Sequence, residues 1–226
     1  MIQNFKLIQK INLTDNVYEL KFEGDNELDL KPGQFVTFLL DKIGGRAYSV
    51  LKKEWNNIIL LIKKWEIEEW GRWGSKYICE QEIWASLRWV WPAGHFVLKE
   101  NNKNKMFIWT GTWLVPLYNQ ILWAIEKNLD TKLKLIFGLR EVKDIFYTEE
   151  LNKLKSENHI FDYEIYLSRA ELEWTKKWYV TDSLNSDIVS IYEEFYICGM
   201  PSMIDSTIEK LKSLWVDEAN IFSEKY

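Results

Sequence analysis

Two glycine-punctuated stretches, a short arginine-bearing strand and a cysteine–glycine turn hold the residues of this chain that could do chemistry. TGTWLVP runs from Thr110 to Pro116, after an apolar run and before a helix-like one. A turn of that kind brings helix N–H groups to a phosphate, which is how a dinucleotide pyrophosphate is held. Pro116 fits early in the helix, where a missing N–H costs nothing. EWGRWGS, ending at Ser75, is a second loop of this kind, carrying Gly71 and Gly74. Backbone N–H groups there can bind an anion without any basic side chain. RAYS, Arg46 to Ser49, supplies what the loops lack. Arg46 offers a planar fork suited to a pyrophosphate, Tyr48 is expected to alternate away from it, and Ser49 adds a hydroxyl. CGMPSM, Cys198 to Met203, sets a thiol beside a glycine turn.

Composition narrows the chemistry these residues can share. Two cysteines cannot hold a four-thiolate iron–sulfur cluster, and two histidines suggest no metal site. Any redox chemistry must therefore come from an organic cofactor. A net charge of −5 argues against nucleic acid as a partner, since phosphate-binding surfaces need a basic excess. No apolar run is long enough for a membrane helix, and MIQNFKLIQK lacks the apolar core of a signal peptide. A cytoplasmic monomer, with no membrane insertion, is expected.

The elements that must position these residues change character along the chain. KLIQKINL, VYELKFE, QFVTFLL, RAYSVLK, NIILLIKK and ASLRWVW read as short strands separated by turn signals, with KYICEQE more helix-like. Strands at that spacing predict a small antiparallel β-barrel over residues 1–99. The polar stretch Lys99 to Lys105 reads as a linker. Beyond it, continuous apolar strands (MFIWT, KLKLIFG, EFYICGM) alternate with helical patterns (PLYNQILWAIEKN, SMIDSTIEKLKSL). That alternation predicts a doubly wound parallel α/β domain over residues 105–226.

Tryptophan is out of proportion. The chain has 13 tryptophans and 10 glycines, where average usage would give about 16 glycines. The tryptophans fall in glycine contexts: Trp109 and Trp113 frame the Thr110 turn, Trp70 and Trp73 flank Gly71, Trp91 precedes Pro92, and Trp215 follows a helix pattern. A buried indole needs volume and an N–H partner, and these contexts are expected to offer neither. The expectation is that most or all of the 13 are glycine in the native organism, as when a UGA codon read as glycine is translated as tryptophan. The competing reading is a non-enzymatic, Trp-rich binding protein.

With tryptophan read as glycine, the motifs resemble those of the ferredoxin–NADP reductase-like family, in order and over nearly the whole chain. RAYS is similar to the family's Arg-x-Tyr-Ser flavin motif, TGTWLVP to its Gly-Thr-Gly-x-x-Pro loop, and CGMPSM to its Cys-Gly-x-Pro-x-Met loop. The resemblance implies a flavin barrel followed by a nucleotide domain, with FAD (FMN the alternative) and NAD(P)H as cofactors. It assigns Arg46, Ala47, Tyr48, Ser49, Ile62, Lys63, Lys64, Gly71, Gly74 and Ser75 to the flavin. It assigns Gly111, Thr112, Trp113, Pro116, Arg140, Ser168, Arg169, Cys198, Gly199, Met200, Pro201 and Met203 to the nicotinamide nucleotide. Ser49 near flavin N5 and Cys198 near nicotinamide C4 take catalytic places. Glu224 and Tyr226 resemble the Glu-x-Tyr ending of the plant-type branch, whose terminal ring stacks on the flavin. Arg169 suits a 2′-phosphate, yet arginine there also occurs in NADH users, so both nucleotides stay open.

The implied activity is hydride transfer from NAD(P)H to the flavin and onward electron transfer to a ferredoxin, flavodoxin or small molecule. The alternative within the family is a clusterless reductase subunit of a larger oxygenase or dehydrogenase complex. Asp144 and the pair Glu149–Glu150 are expected on a solvated helix face, His95 at the surface, and Cys79 as a buried structural thiol.

Overall fold

The computed structural model describes residues 2–66, 73–111 and 115–225. They fall into two compact units, residues 1–98 with 118–120, and residues 99–117 with 121–226.

In the first unit, alternating apolar residues build seven strands: β1 (Ile2–Asn12), β2 (Val17–Gly24), β3 (Phe35–Leu40), β4 (Gly44–Ser49), β5 (Lys52–Glu54), β6 (Asn57–Lys63) and β7 (Ser86–Ala93). They pair in the order β4-β3-β7-β1-β2-β6-β5, and every pairing is antiparallel. The sheet is barrel-like, with one face turned to a common core. Val36, Phe38 and Leu40 on β3 and Ile58, Leu60 and Ile62 on β6 point inward at the period of two that a half-buried strand requires. Phe5 is central, stacked on Trp89 at 4.3 Å and tilted against Phe22 and Phe38 at 6.2 and 6.1 Å. Helix α1 (Gly74–Cys79) adds Ile78 and Cys79 to this core.

The second unit alternates strand and helix: β8 (Lys105–Thr110), α2 (Val115–Glu126), β9 (Leu133–Leu139), α3 (Thr148–Glu157), β10 (Phe161–Leu167), β11 (Lys176–Lys177), α4 (Ser186–Val189), β12 (Glu194–Gly199), α5 (Pro201–Ser213) and β13 (Ile221–Lys225). The sheet order is β11-β10-β9-β8-β12-β13, with parallel pairing throughout. β9 and β12 are buried along their whole length, which is why their sequences are continuous apolar runs rather than alternating ones. On α5, Ile204, Thr207 and Leu211 recur at helical spacing and are the residues it buries. The order runs outward from β8 on one side through β9 and β10, and on the other through β12 and β13. The direction of winding therefore reverses between β8 and β12.

Three local expectations are corrected. Lys99 to Lys105 is no free linker but is fastened into the second unit. Lys105 Nζ, fully buried, donates to the Asn101 carbonyl at 3.0 Å, to Asn101 Oδ1 at 2.7 Å and to the Lys103 carbonyl at 2.8 Å. It also faces the buried Glu194 carboxylate at 3.5 Å, which accepts from Asn101 Nδ2 and from the Tyr196 hydroxyl. A buried charge needs such partners, and Asn101 and Lys103 of this polar stretch supply three of them. Asp144 is not on a helix face: its carboxylate accepts the Glu141 N–H at 3.1 Å and closes a 3-10 turn over Val142–Asp144. Glu149 and Glu150 do lie exposed, in the first turn of α3.

The third correction concerns tryptophan. Trp109 is fully buried, its ring 3.8 Å from that of Phe137, and its indole N–H donates to the Gly111 carbonyl at 3.0 Å. This context offers both the volume and the partner expected to be missing. His95 is exposed and Cys79 buried. No helix among the described residues is long and apolar enough to cross a membrane.

Candidate active site

In the second unit the candidate residues gather at the carboxyl ends of the strands. Gly199 ends β12 beside Thr110, which ends β8. A Cβ on Gly199 would strike the Met203 methyl and come within 2.6 Å of Thr110 Oγ1. Glycine is therefore required here by close approach of neighbouring chain. Met200 is half exposed at the N-cap of α5, and Pro201 and Met203 lie in its first turn. Gly111 takes a left-handed φ of 66° directly after β8, and Pro116 is the second residue of α2. The missing N–H of Pro116 is one of the four that a helix start leaves without an internal partner.

Cys198 is fully buried, between Trp109 of β8 and Glu224 of β13 in the strand register. Burial pushes its thiol well up from the ordinary range, and the Glu224 charge pushes the same way. Its Sγ therefore holds a proton at neutral pH.

On the other side of β8, the ladder continues past the ends of β9 and β10. The Ser168 N–H donates to the Leu139 carbonyl at 3.0 Å and the Arg169 N–H to the Arg140 carbonyl at 2.9 Å. Both guanidiniums are on exposed residues. Glu141 is held below the ordinary carboxylate range chiefly by a hydrogen bond from Lys143, with Arg169 and Arg140 adding to it. The two arginines thus share one neighbourhood. The edge strand β11 brings Lys176 and Lys177 opposite Tyr166 and Leu167, directly before Ser168, and Tyr179 follows, exposed.

In the first unit, Arg46 and Tyr48 sit on the edge strand β4, opposite Phe38 and Val36 of β3. They do not alternate apart. Residues i and i+2 share a face of a strand, and burial, a nearby Cys79 and the Arg46 charge all act on the Tyr48 phenol. Burial dominates and pushes it up. The Tyr48 ring packs edge-on to Phe38 at 6.1 Å, against the barrel core. The Arg46 side chain lies over the start of α1: a Cβ on Gly74 would be 2.6 Å from its Cγ and 3.0 Å from its Cδ. Arg46 also donates to the Gly45 carbonyl at 2.7 Å. Ala47 is exposed and Ser49 half-buried.

Ile62 is buried near the end of β6. Lys63 Nζ lies 4.5 Å over the Trp65 ring, and Lys64 pairs with Glu80 at 2.9 Å. Ser75 Oγ accepts the Trp65 N–H at 3.2 Å, which ties the start of α1 to the strand end. Gly71, Thr112, Trp113 and Tyr226 lie outside the described residues.

The structure thus brings Arg46, Tyr48, Gly74 and Ser75 together in the first unit. It brings Thr110, Gly111, Cys198, Gly199 and Glu224 together in the second. Thr110 is a site residue that the motifs alone did not single out, although it opens the same TGT triplet. Lys177 lies on a two-residue edge strand, which leaves no periodic signal in the sequence.

Comparison with known proteins accords with this geometry. Residues 107–209 match the family model of the oxidoreductase NAD-binding domain. The chain is 30% identical over 161 residues to the F component of the Na(+)-translocating NADH-quinone reductase of Marinomonas sp. (strain MWYL1), covering 67% of this chain and 40% of that protein. It therefore spans well under half the length of that relative. It is 28% identical over 240 residues to ferredoxin–NADP reductase B of Sorangium cellulosum (strain So ce56), covering 98% and 96% of the two chains. Among solved structures, a ferredoxin NADP+ reductase from Neisseria gonorrhoeae with bound FAD and NADP superposes with a TM-score of 0.85 at 18% identity, over 99% and 98% of the chains. The flavohem-like FAD/NAD binding domain of nitric oxide dioxygenase from Vibrio cholerae gives 0.87 at 17% identity, over 99% and 98%. The antiparallel barrel-like sheet and the parallel α/β unit thus have the two-domain fold of the ferredoxin–NADP reductases, and residues 107–209 belong to the oxidoreductase NAD-binding domain family.

Proposed function

We propose that the chain is an NAD(P)H-dependent flavoprotein reductase, with its flavin domain at residues 1–99 and its nucleotide domain at 105–226. The observation that carries this reading is the reversal of winding between β8 and β12, with Thr110 and Gly199 in close approach at the strand ends. In open α/β sheets a dinucleotide binds at such a switch point, and a Cβ at Gly199 would crowd it.

The residues present fit both cofactors. Arg46 over Gly74 sets a guanidinium against the first turn of α1, a pairing suited to the pyrophosphate of FAD. Tyr48 and Ser49 border the ring system, and Ile62, Lys63 and Lys64 line the adjoining strand end. Thr110, Gly111, Gly199 and Met200 hold the nicotinamide nucleotide, with Ser168 and Arg169 at its ribose end. The flavin, when bound, takes the hydride and hands electrons on singly or in pairs. The chain contributes position: rigid strand ends fix each cofactor, and a buried, protonated Cys198 keeps charge away from the nicotinamide side. Arg169 at this end suits the 2′-phosphate of NADPH, while Lys177 on the neighbouring strand is paired with Glu171 at 3.1 Å.

Anaerobic mixing of the purified, flavin-loaded protein with NADPH, then NADH, tests the proposal. Bleaching of the flavin band is expected, faster with NADPH. A protein that retains no flavin, or a flavin that neither nucleotide reduces, would overturn it. A second reading, a reductase portion of a larger electron-transfer assembly, is favoured by the likeness to the F component of the Na(+)-translocating quinone reductase. Gel filtration of extract from the native cells separates the two, by whether the reductase activity elutes alone.

A further inference from the structure

We infer that residues 55, 73, 84, 178 and 215 are glycine in the native protein, because the backbone at each is one that only glycine adopts freely. Among the described residues, eight non-glycine positions have positive φ and five of them are tryptophan: Trp55 (55°), Trp73 (59°), Trp84 (76°), Trp178 (86°) and Trp215 (64°). Side chains with a Cβ meet the following carbonyl there, and a bulky residue is a true outlier.

Local geometry says the same at the ends of elements. Helix α5 closes with the Trp215 N–H donating to the Lys212 carbonyl at 3.0 Å and the Val216 N–H to the Leu211 carbonyl at 3.1 Å. That pair of hydrogen bonds is a Schellman motif, whose left-handed residue is usually glycine. Trp215 occupies it with its side chain 95% exposed. Trp55 is the first of two residues joining β5 to β6, between the paired Glu54 and Asn57. A two-residue hairpin with positive φ at its first central residue calls for glycine there. Trp73 caps α1, directly before Gly74.

Nothing compensates the indoles. All five are more than half exposed, so they bury little to offset the backbone. Lysines lie over Trp84 and Trp178 at 6.0 and 5.3 Å, but an exposed cation–π contact is weak and needs no left-handed φ. The other three positions explain themselves differently. Asn128 is a residue type that tolerates this region, Tyr147 is buried against Phe146, and Lys42 lies in the β3–β4 hairpin. At the buried Trp89 and Trp109 the backbone makes no such demand.

Each left-handed indole should lower the folded-to-unfolded ratio by about 5- to 30-fold relative to glycine. Over five sites the product rivals the whole stability of a marginal protein. Two measurements test this. Peptide masses of the protein isolated from its own cells should read glycine at all five positions, and tryptophan there would overturn the inference. In recombinant protein, Trp215→Gly alone should raise the folding equilibrium constant by about 5- to 30-fold in urea titration, and the fivefold glycine variant by far more. Equal stability of the parent and the Trp215→Gly variant would count against it, and if neither recombinant folds, the peptide masses decide.

Discussion

Replacing Gly199 by alanine puts a methyl group into space that the strand ends already fill. The new Cβ would sit 2.6 Å from Thr110 Oγ1, well inside the 3.4 Å at which ordinary contact begins, and closer still to the Met203 methyl. Met203 can swing its flexible end aside. Thr110 cannot: it is β-branched and stiff at χ1, and its Cγ2 already lies 2.8 Å from where a Cβ on Gly138 would be. Relief must come from spreading β8 and β12, and overpacking of that kind costs about 1–3 kcal/mol. If the nucleotide binds between these strand ends, its affinity should fall by about 5- to 150-fold, while flavin content stays the same. Titration of the flavin-loaded enzyme with NADP+ and NAD+, followed by the perturbation of the flavin band, measures this directly. Thr110→Ala in the Gly199→Ala background removes the obstruction and should restore part of the affinity, a non-additivity that neighbouring residues produce. Unchanged nucleotide affinity in Gly199→Ala, or no recovery in the double variant, would refute the placement of the site.

Four other outcomes are expected. Arg46→Ala removes a charge-assisted contact worth about 1.5–3 kcal/mol and should loosen flavin by roughly 10- to 150-fold; flavin retention equal to the parent on dilution would exclude Arg46 from the site. Glu194→Ala strands the fully buried Lys105 charge and should destabilise the fold by about 3–5 kcal/mol; a urea midpoint within error of the parent would show the pair to be inert. Cys79, its thiol pushed up to about 12 by burial, and Cys198, raised by burial as well, should both resist a thiol reagent at neutral pH and react only after denaturation; rapid labelling of either in the folded protein would contradict this. Glu54, hydrogen-bonded by Lys21 and Lys52, is lowered from its ordinary 4.5 to about 2. Its contribution to stability is therefore present above the upper value and lost as pH falls toward the lower one, so Glu54→Gln should flatten acid unfolding over that window, and identical acid limbs would remove the effect.

The layout of the fold was legible because burial leaves a period in the sequence. β9 is apolar at nearly every position since both of its faces are covered, and β3 alternates since only one is. What the sequence could not carry is pairing between distant residues. Glu194 faces Lys105 only because β12 lies beside β8 in parallel register, so Lys99 to Lys105 read as a linker when it is a set of ligands for a buried charge. Tyr48 is a different kind of miss: the period of two already put it on the Arg46 face. Trp109 could not have been placed by type alone, because its partner is the carbonyl of Gly111 just past the end of its own strand.

Glycine separates these cases further. Gly74 opens α1 and Gly199 ends β12, and at both a Cβ would meet neighbouring side chains, Gly199 having a φ of 156° besides. Gly74 yields its Cβ space to the Arg46 side chain, and Gly199 yields it to Thr110 and Met203. Trp55 and Trp215 pose the opposite demand, open space around a left-handed backbone. An added side chain at the first pair must displace neighbours, and one at the second pair must bend the chain. Substitutions at Gly74 and Gly199 should therefore change ligand affinity as well as stability, whereas glycine at residues 55 and 215 should change stability and leave affinity alone. The two kinds of glycine position look alike in composition, and only these different responses tell a binding loop from a turn.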